Sequence, residues 1–219
     1  IELARRQWQD LHHHLLRLGA WIEYVPHADG HPDMVFTANA GLVRGNRVVL
    51  SSFRYKERQG EEAFYQAWFE ANGFVVQRVT QGAYEGEGDA LFCGDTLYCG
   101  CGFRSDKAAH EEVGKIFNIK NLVLLELQDS RFYHLDTCFC PLTSEVAMLY
   151  RGAFTEEAIA TLEQSMELIF VPEVDAIQFV CNAVVLGSDV ILPAGCEDTY
   201  SVSKKYGFRT YPVELSEFI

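Results

Sequence analysis

The chemistry this sequence could perform is concentrated in a few short stretches, of which His134-Leu-Asp-Thr-Cys-Phe-Cys140 is the most telling. It alternates polar and apolar side chains, the pattern of a strand whose alternate residues face opposite sides. On that reading His134 and Asp136 share one surface. An imidazole beside a carboxylate can be kept charged, be oriented, or exchange protons with a cationic substrate. Taken alone, the pair reads equally well as a hydrogen-bonded structural histidine. Other segments add to it, because Asp33 and Asn39, then Glu85, Glu87 and Asp89, and finally Asn182 also stand just upstream of predicted turns. Carboxylates gathered on apolar strands repel one another unless a cation sits between them. A metal ion or a guanidinium would serve. Arg58 and Arg104 each precede a predicted helix at matching phase and could grip a carboxylate bidentately; as surface arginines they would be merely solvated.

The elements that position these residues repeat. A first helix carries Ala4, Trp8, Leu11, Leu15 and Leu18 on one stripe and ends at Gly19. His12, His13 and His14 diverge by about 100° per residue on it, so they form a polar face and not a metal clasp. A strand is predicted over Trp21 to Val25, then a loop with His27, Asp29, His31 and Asp33 that reads as a polar turn. From Met34 onward the order hairpin, helix, strand recurs four times, with hairpin turns at Gly45, Gly94, Ser144 and Gly187. Ser105 and Thr155 read as N-caps of the second and third repeat helices. A strand-rich unit returning roughly every 45–50 residues is the signal of a propeller-type array, and a helix in each unit makes it α/β. Five helices and four hairpins leave one hairpin short. The expectation is a single α/β propeller domain over 1–219, trimmed at both ends, with its fifth module incomplete. Residues at the same phase of each repeat would then meet at one end of a central axis.

Composition narrows the partners. The chain has 219 residues with 18 Lys plus Arg against 31 Asp plus Glu, a net charge of -13. An acidic chain without a basic stripe repels phosphate backbones, so no nucleic-acid partner is expected. No apolar run is long enough to span a bilayer, so no membrane partner is expected either. Cys99 and Cys101, like Cys138 and Cys140, sit two apart on strand-like segments and not at zinc-ribbon spacing. The seven cysteines read as reduced core thiols, which points to a cytoplasmic setting. Neither a cofactor nor a metal is called for. Association into a homo-oligomer stays open.

Three segments together, Pro32-Asp-Met-Val-Phe-Thr-Ala-Asn-Ala-Gly-Leu42, Tyr84-Glu-Gly-Glu-Gly-Asp-Ala-Leu91 and His134-Leu-Asp-Thr-Cys-Phe-Cys-Pro-Leu142, resemble the guanidino-group-modifying hydrolases and amidinotransferases. That superfamily holds arginine deiminase, dimethylargininase and glycine amidinotransferase on a five-module α/β propeller, the pentein fold. Within it the chain is most similar, over essentially its whole length, to the bacterial and cyanobacterial arginine dihydrolases. The resemblance implies covalent catalysis on the guanidino group of L-arginine. A cysteine thiolate attacks the guanidinium carbon, carboxylates clamp the nitrogens, and a histidine protonates the leaving amine and then activates water. It implies that His134 is the acid/base, that Glu85 binds the guanidinium, and that Asp89, Asp136 and Asp33 support the site. Arg58 and Arg104 would hold the substrate carboxylate. At Asn39 the deiminases and dimethylargininases usually carry Asp, whereas the dihydrolases carry Asn, which favours two rounds of hydrolysis to ornithine, ammonia and carbon dioxide. None of the seven cysteines matches the family's nucleophile, so the polypeptide as it stands is expected to be inert. The alternatives are a one-step hydrolase giving citrulline and a non-catalytic propeller used for binding.

Overall fold

Glycines with positive φ punctuate the chain where the repeat predicts turns: Gly45, Gly94 and Gly187 at hairpin tips, and Gly19, Gly73 and Gly207 after helices. The structure, a computed structural model, describes residues 1–219. After α1 (Glu2–Arg17) come β1 (Gly41–Arg44), β2 (Arg47–Leu50), α2 (Lys56–Gln59), α3 (Glu61–Ala71) and β3 (Val75–Arg78). The next repeat is β4 (Ala90–Cys93), β5 (Thr96–Cys101), α4 (Lys107–Phe117) and β6 (Asn121–Glu126). The third is β7 (Phe139–Pro141), β8 (Val146–Leu149), α5 (Glu156–Ser165) and β9 (Glu167–Phe170). Last come α6 (Glu173–Ala176), β10 (Val184–Leu186), β11 (Asp189–Pro193), α7 (Glu197–Lys205) and β12 (Arg209–Val213).

The class is α/β with mixed sheets. Each repeat forms its own three-stranded sheet in chain order. Its first two strands pair antiparallel as a hairpin, and the helix returns the chain so that the third lies parallel to the second. The central strands are unbroken apolar runs, Val48-Val49-Leu50, Leu97-Tyr98-Cys99, Ala147-Met148-Leu149 and Val190-Ile191-Leu192, all buried. Continuous apolar character, without alternation, is what a strand covered on both faces requires. The hairpin near Ser144 manages without a glycine because Thr143 Oγ1 accepts from the N–H groups of Glu145 and Val146.

The chain divides into two compact units. One comprises residues 24–136 and 154–158 and holds the first two sheets. Its main core joins Leu42 and Val49 of the first sheet to Leu97 and Cys99 of the second, with Ala109, Val113 and Phe117 of α4 packed against them. A second cluster sets Tyr65 and Phe69 of α3 on Val48 and Leu50. The other unit comprises residues 1–23, 137–153 and 159–219 and holds the remaining two sheets. There buried Asp175 accepts from both the N–H and the hydroxyl of Thr199, tying α6 to α7. No helix is long and apolar enough to cross a membrane.

Several local expectations need correcting. No strand forms over Trp21–Val25; Trp21 is exposed and its indole donates to Glu23 at 2.6 Å. On α1 the buried residue is Gln7, held by Ser216 and by the Glu217 N–H, while Trp8 of the apolar stripe is exposed. The Met34 region is not strand but two 3-10 turns, Pro32–Val35 and Thr37–Ala40. His134 and Asp136 likewise do not ride a strand: Leu135–Thr137 is a 3-10 turn ahead of β7. Compact turns win here because the polar side chains of these segments have buried partners to reach.

Candidate active site

Four of the side chains that the sequence singled out, Asn39, Glu85, Asp89 and His134, lie on short irregular segments of the unit spanning 24–136. The turn before β1 carries Asn39, the turn before β4 carries Glu85 and Asp89, and the turn before β7 carries His134. All four are buried, Glu85 at 0% and Asp89 at 1% exposure. His134 sits among them. Its Nδ1 lies 3.1 Å from Asp89 Oδ1 and its Nε2 lies 3.3 Å from Glu85 Oε2. The Asn39 amide nitrogen is 3.4 Å from the same Nε2 and donates to the Glu85 carbonyl at 3.1 Å.

Glycine lets these turns approach so closely. A Cβ on Gly88 would land on the Asn39 amide nitrogen and come within 3.3 Å of His134 Nδ1. Gly86, with φ +63, would set a Cβ against the Ala38 carbonyl and the Gly41 nitrogen. The Glu-Gly-Glu-Gly-Asp spacing is therefore a packing requirement of the site.

Burial opposes a charged imidazole at His134, but the carboxylates of Asp89, Asp136 and Glu85 outweigh it and hold the pKa above the usual histidine value. Asp136 adds its charge from a half-buried position, while Asp89 meets the ring at Nδ1 and Glu85 at Nε2. Asp33 contributes its backbone carbonyl, which accepts from Arg58.

The two arginines part company. Arg58 is buried and commits Nε and one terminal nitrogen to Glu61, at 2.8–3.2 Å, and its other terminal nitrogen to Asn39 Oδ1 at 2.9 Å. Its guanidinium also covers the Phe53 ring. A guanidinium so fully engaged orients Asn39; the expected clamp on a substrate carboxylate is not the geometry seen. Arg104 is more open. It lies between the Tyr55 and Tyr133 rings, 4.8 and 4.5 Å from their centroids, and reaches Glu85 Oε2 at 3.2 Å.

Two residues of the site went unremarked as such in the sequence. Arg54 donates its backbone N–H to Glu85 Oε1, and its side chain bridges the Arg104 carbonyl and Asp106. Ser105, expected as an N-cap, instead donates to Asp89 Oδ2 at 2.6 Å and accepts the Glu85 N–H, while Asp106 takes the N-cap position of α4. Ser105 adjoins Arg104, which the sequence did flag, whereas Arg54 carried no such signal. Elsewhere, His27 pairs with Asp29, His31 packs on Phe64, and Asn182 is exposed in the other unit.

Five of the cysteines are poor nucleophiles. Burial pushes up the thiols of Cys93, Cys99, Cys101, Cys181 and Cys196, Cys101 to about 12 and Cys196 to about 11. Cys99, Cys101, Cys140 and Cys196 turn their sulfurs to backbone carbonyls.

The family described as N,N dimethylarginine dimethylhydrolase, eukaryotic, matches residues 1–200. The chain belongs to this family. Among relatives of this dimethylarginine dimethylhydrolase-family chain, the N(G),N(G)-dimethylarginine dimethylaminohydrolase of Mycobacterium tuberculosis is 36% identical, over 100% of the chain and 72% of that protein. The bifunctional arginine dihydrolase/ornithine cyclodeaminase ArgZ of Synechocystis sp. is 43% identical over 100% of the chain. The chain spans about a third of that relative's length, 32%. In three dimensions it is similar to the N-terminal domain of ArgZ, solved as a cysteine-to-serine mutant bound to substrate, with a TM-score of 0.96 over 99% of this chain and 82% of that one.

Proposed function

We propose that this family member hydrolyses the guanidino group of L-arginine, as an arginine dihydrolase, at the turns that precede β1, β4 and β7 in a five-module α/β propeller. The observation that carries the reading is the imidazole of His134 held between two carboxylates, Asp89 on Nδ1 and Glu85 on Nε2, with the Asn39 amide beside it. The likeness to a cyanobacterial arginine dihydrolase domain bound to substrate supports it. The four sheets act as four modules of the ring.

The chemistry follows from the charges. Glu85 is a buried anion facing His134 and Arg104, and a substrate guanidinium is the cation that replaces Arg104 there. Arg104, released on its aromatic cradle, then meets the substrate carboxylate. His134 stays protonated in the presence of Asp89 and gives its Nε2 proton to the departing nitrogen. Once neutral, the same nitrogen takes a proton from the attacking water. None of the seven cysteines is assigned the role of the attacking thiolate, and burial makes those of Cys93, Cys99, Cys101, Cys181 and Cys196 the opposite of activated. Asp136 and Asp33 play supporting parts, by charge and by backbone.

Asn39 sets the outcome. Arg58 holds its Oδ1, so its NH2 faces the site as a donor. Citrulline is a neutral urea, and an amide donor keeps its carbonyl in place for a second attack, whereas a carboxylate would repel it. The test is a time course on the protein in a form carrying the nucleophilic cysteine, following ornithine and citrulline. Ornithine as the main wild-type product, with Asn39→Asp shifting output several-fold towards citrulline, is the expected result. Citrulline accumulating in the wild type would make it a one-step hydrolase; failure to act on L-arginine would remove the proposal.

A further inference from the structure

We propose that Ser105 is a positioning residue of this site, holding Asp89 so that one carboxylate oxygen is kept for His134. The inference rests on His134 being the acid/base proposed above.

Ser105 is 1% exposed and has one hydroxyl proton. The Glu85 N–H can only donate, and it points at Ser105 Oγ from 2.9 Å. The hydroxyl proton is therefore free to go to Asp89 Oδ2, 2.6 Å away, and the direction of both bonds is decided without ambiguity. With Oδ2 taken, Asp89 Oδ1 is left to the Leu135 N–H at 3.2 Å and to His134 Nδ1 at 3.1 Å. One side chain thus ties the backbone of Glu85, the carboxylate of Asp89 and, through it, the ring of His134 into a single chain of contacts. Its neighbour Arg104 meets the Glu85 carboxylate, so the Arg104-Ser105 dipeptide grips the Glu85 residue at both ends.

A serine that only filled space, or only satisfied the Glu85 N–H, would leave His134 indifferent to the hydroxyl. A serine that positions Asp89 would not. Deleting a charge-assisted donor from Asp89 concentrates that carboxylate's charge on its remaining partners, of which His134 is the ionisable one. The other charged groups around the ring, Glu85 and Asp136, which favour the imidazolium, and Arg104, which meets the Glu85 carboxylate, keep their charges in the substitution, while the Glu85 N–H loses its acceptor.

The experiment is a titration of the His134 imidazole by nitrogen-15 NMR, with the resonance assigned by its loss in His134→Gln. Exposed His27 in the same spectra serves as the internal control. In Ser105→Ala the His134 midpoint is expected to rise by about 0.5–1 pH unit, and in Ser105→Thr, which keeps the hydroxyl, to return to the wild-type value. Ser105→Cys, similar in volume but a weaker donor, is expected to move the same way as the alanine variant. A midpoint that stays or falls, or a rise that threonine does not restore, overturns the proposal. So does failure of both Ala and Cys variants to fold while Thr folds, since that marks a purely structural residue. No substrate is present, so absence of L-arginine turnover would defeat the proposed function without altering this titration.

Discussion

At the scale of single residues, the site is a set of groups that share one another's protons and space. His134 bears a raised pKa in the folded chain, against about 6.5 unfolded. Its ion pairs therefore contribute stability fully below about pH 6.5, and that contribution is lost as pH rises through the folded pKa. His134→Gln should accordingly cost more thermal stability at about pH 6 than at about pH 9. Melting curves of both proteins at both pH values check this, and an equal loss would mean the imidazole is neutral in the fold. Gly88 offers a second probe, because a methyl there collides with the Asn39 amide. Gly88→Ala should lose about 1–3 kcal/mol of stability and weaken L-arginine binding, measured by denaturant melts and calorimetry. Arginine affinity unchanged from wild type would show that Asn39 does not need its present place.

At the scale of elements, two hydroxyl residues that look alike in sequence do different work. Both Ser105 and Thr155 precede a helix. Thr155 Oγ1 accepts the Ala158 N–H at 3.3 Å and so caps the first turn of α5. Ser105 turns away from its helix, to Asp89. Thr155→Ala should then cost about 1 kcal/mol, the usual value of a lost N-cap, with the His134 titration unmoved. A shifted His134 midpoint in that variant would mean the two helices' starts are coupled. The helix that follows Ser105 starts instead after Asp106, whose carboxylate is committed to the Ala83 N–H and to Arg54. The helix start and the contact to Asp89 are thus built from adjacent residues.

At the scale of the whole molecule, the unit that bears the site has a core cluster drawn from two sheets. Leu97 of β5 is fully buried with Leu42 and Val49 of the neighbouring sheet. Leu97→Ala should cost about 2–5 kcal/mol, and hydrogen exchange should show β2 losing protection together with β5. Protection retained in β2 alone would show that the two repeats fold independently. The wider charge balance, net -13, attracts cations more than anions at long range.

Local sequence determined the repeating elements. Glycines at 45, 94 and 187 admit the left-handed backbone a tight turn needs, and buried apolar runs such as Val48-Val49-Leu50 mark the central strands, so turn positions and strand order were legible without coordinates. The polar cluster was legible as a set of residue types, His134, Glu85, Asp89 and Asn39, but not as a set of contacts. Alternation suggested that Asp136 partners His134, yet a 3-10 turn replaces the strand and Asp89, 45 residues earlier in the chain, takes the ring. Arg58 gave no sign in sequence of being consumed by Glu61 and Asn39, nor Ser105 of abandoning its helix. The reason is physical. Turns and strands are set by backbone preferences that each residue carries with it, whereas a hydrogen bond between residues far apart exists only once packing has brought both partners out of water and left neither a better choice.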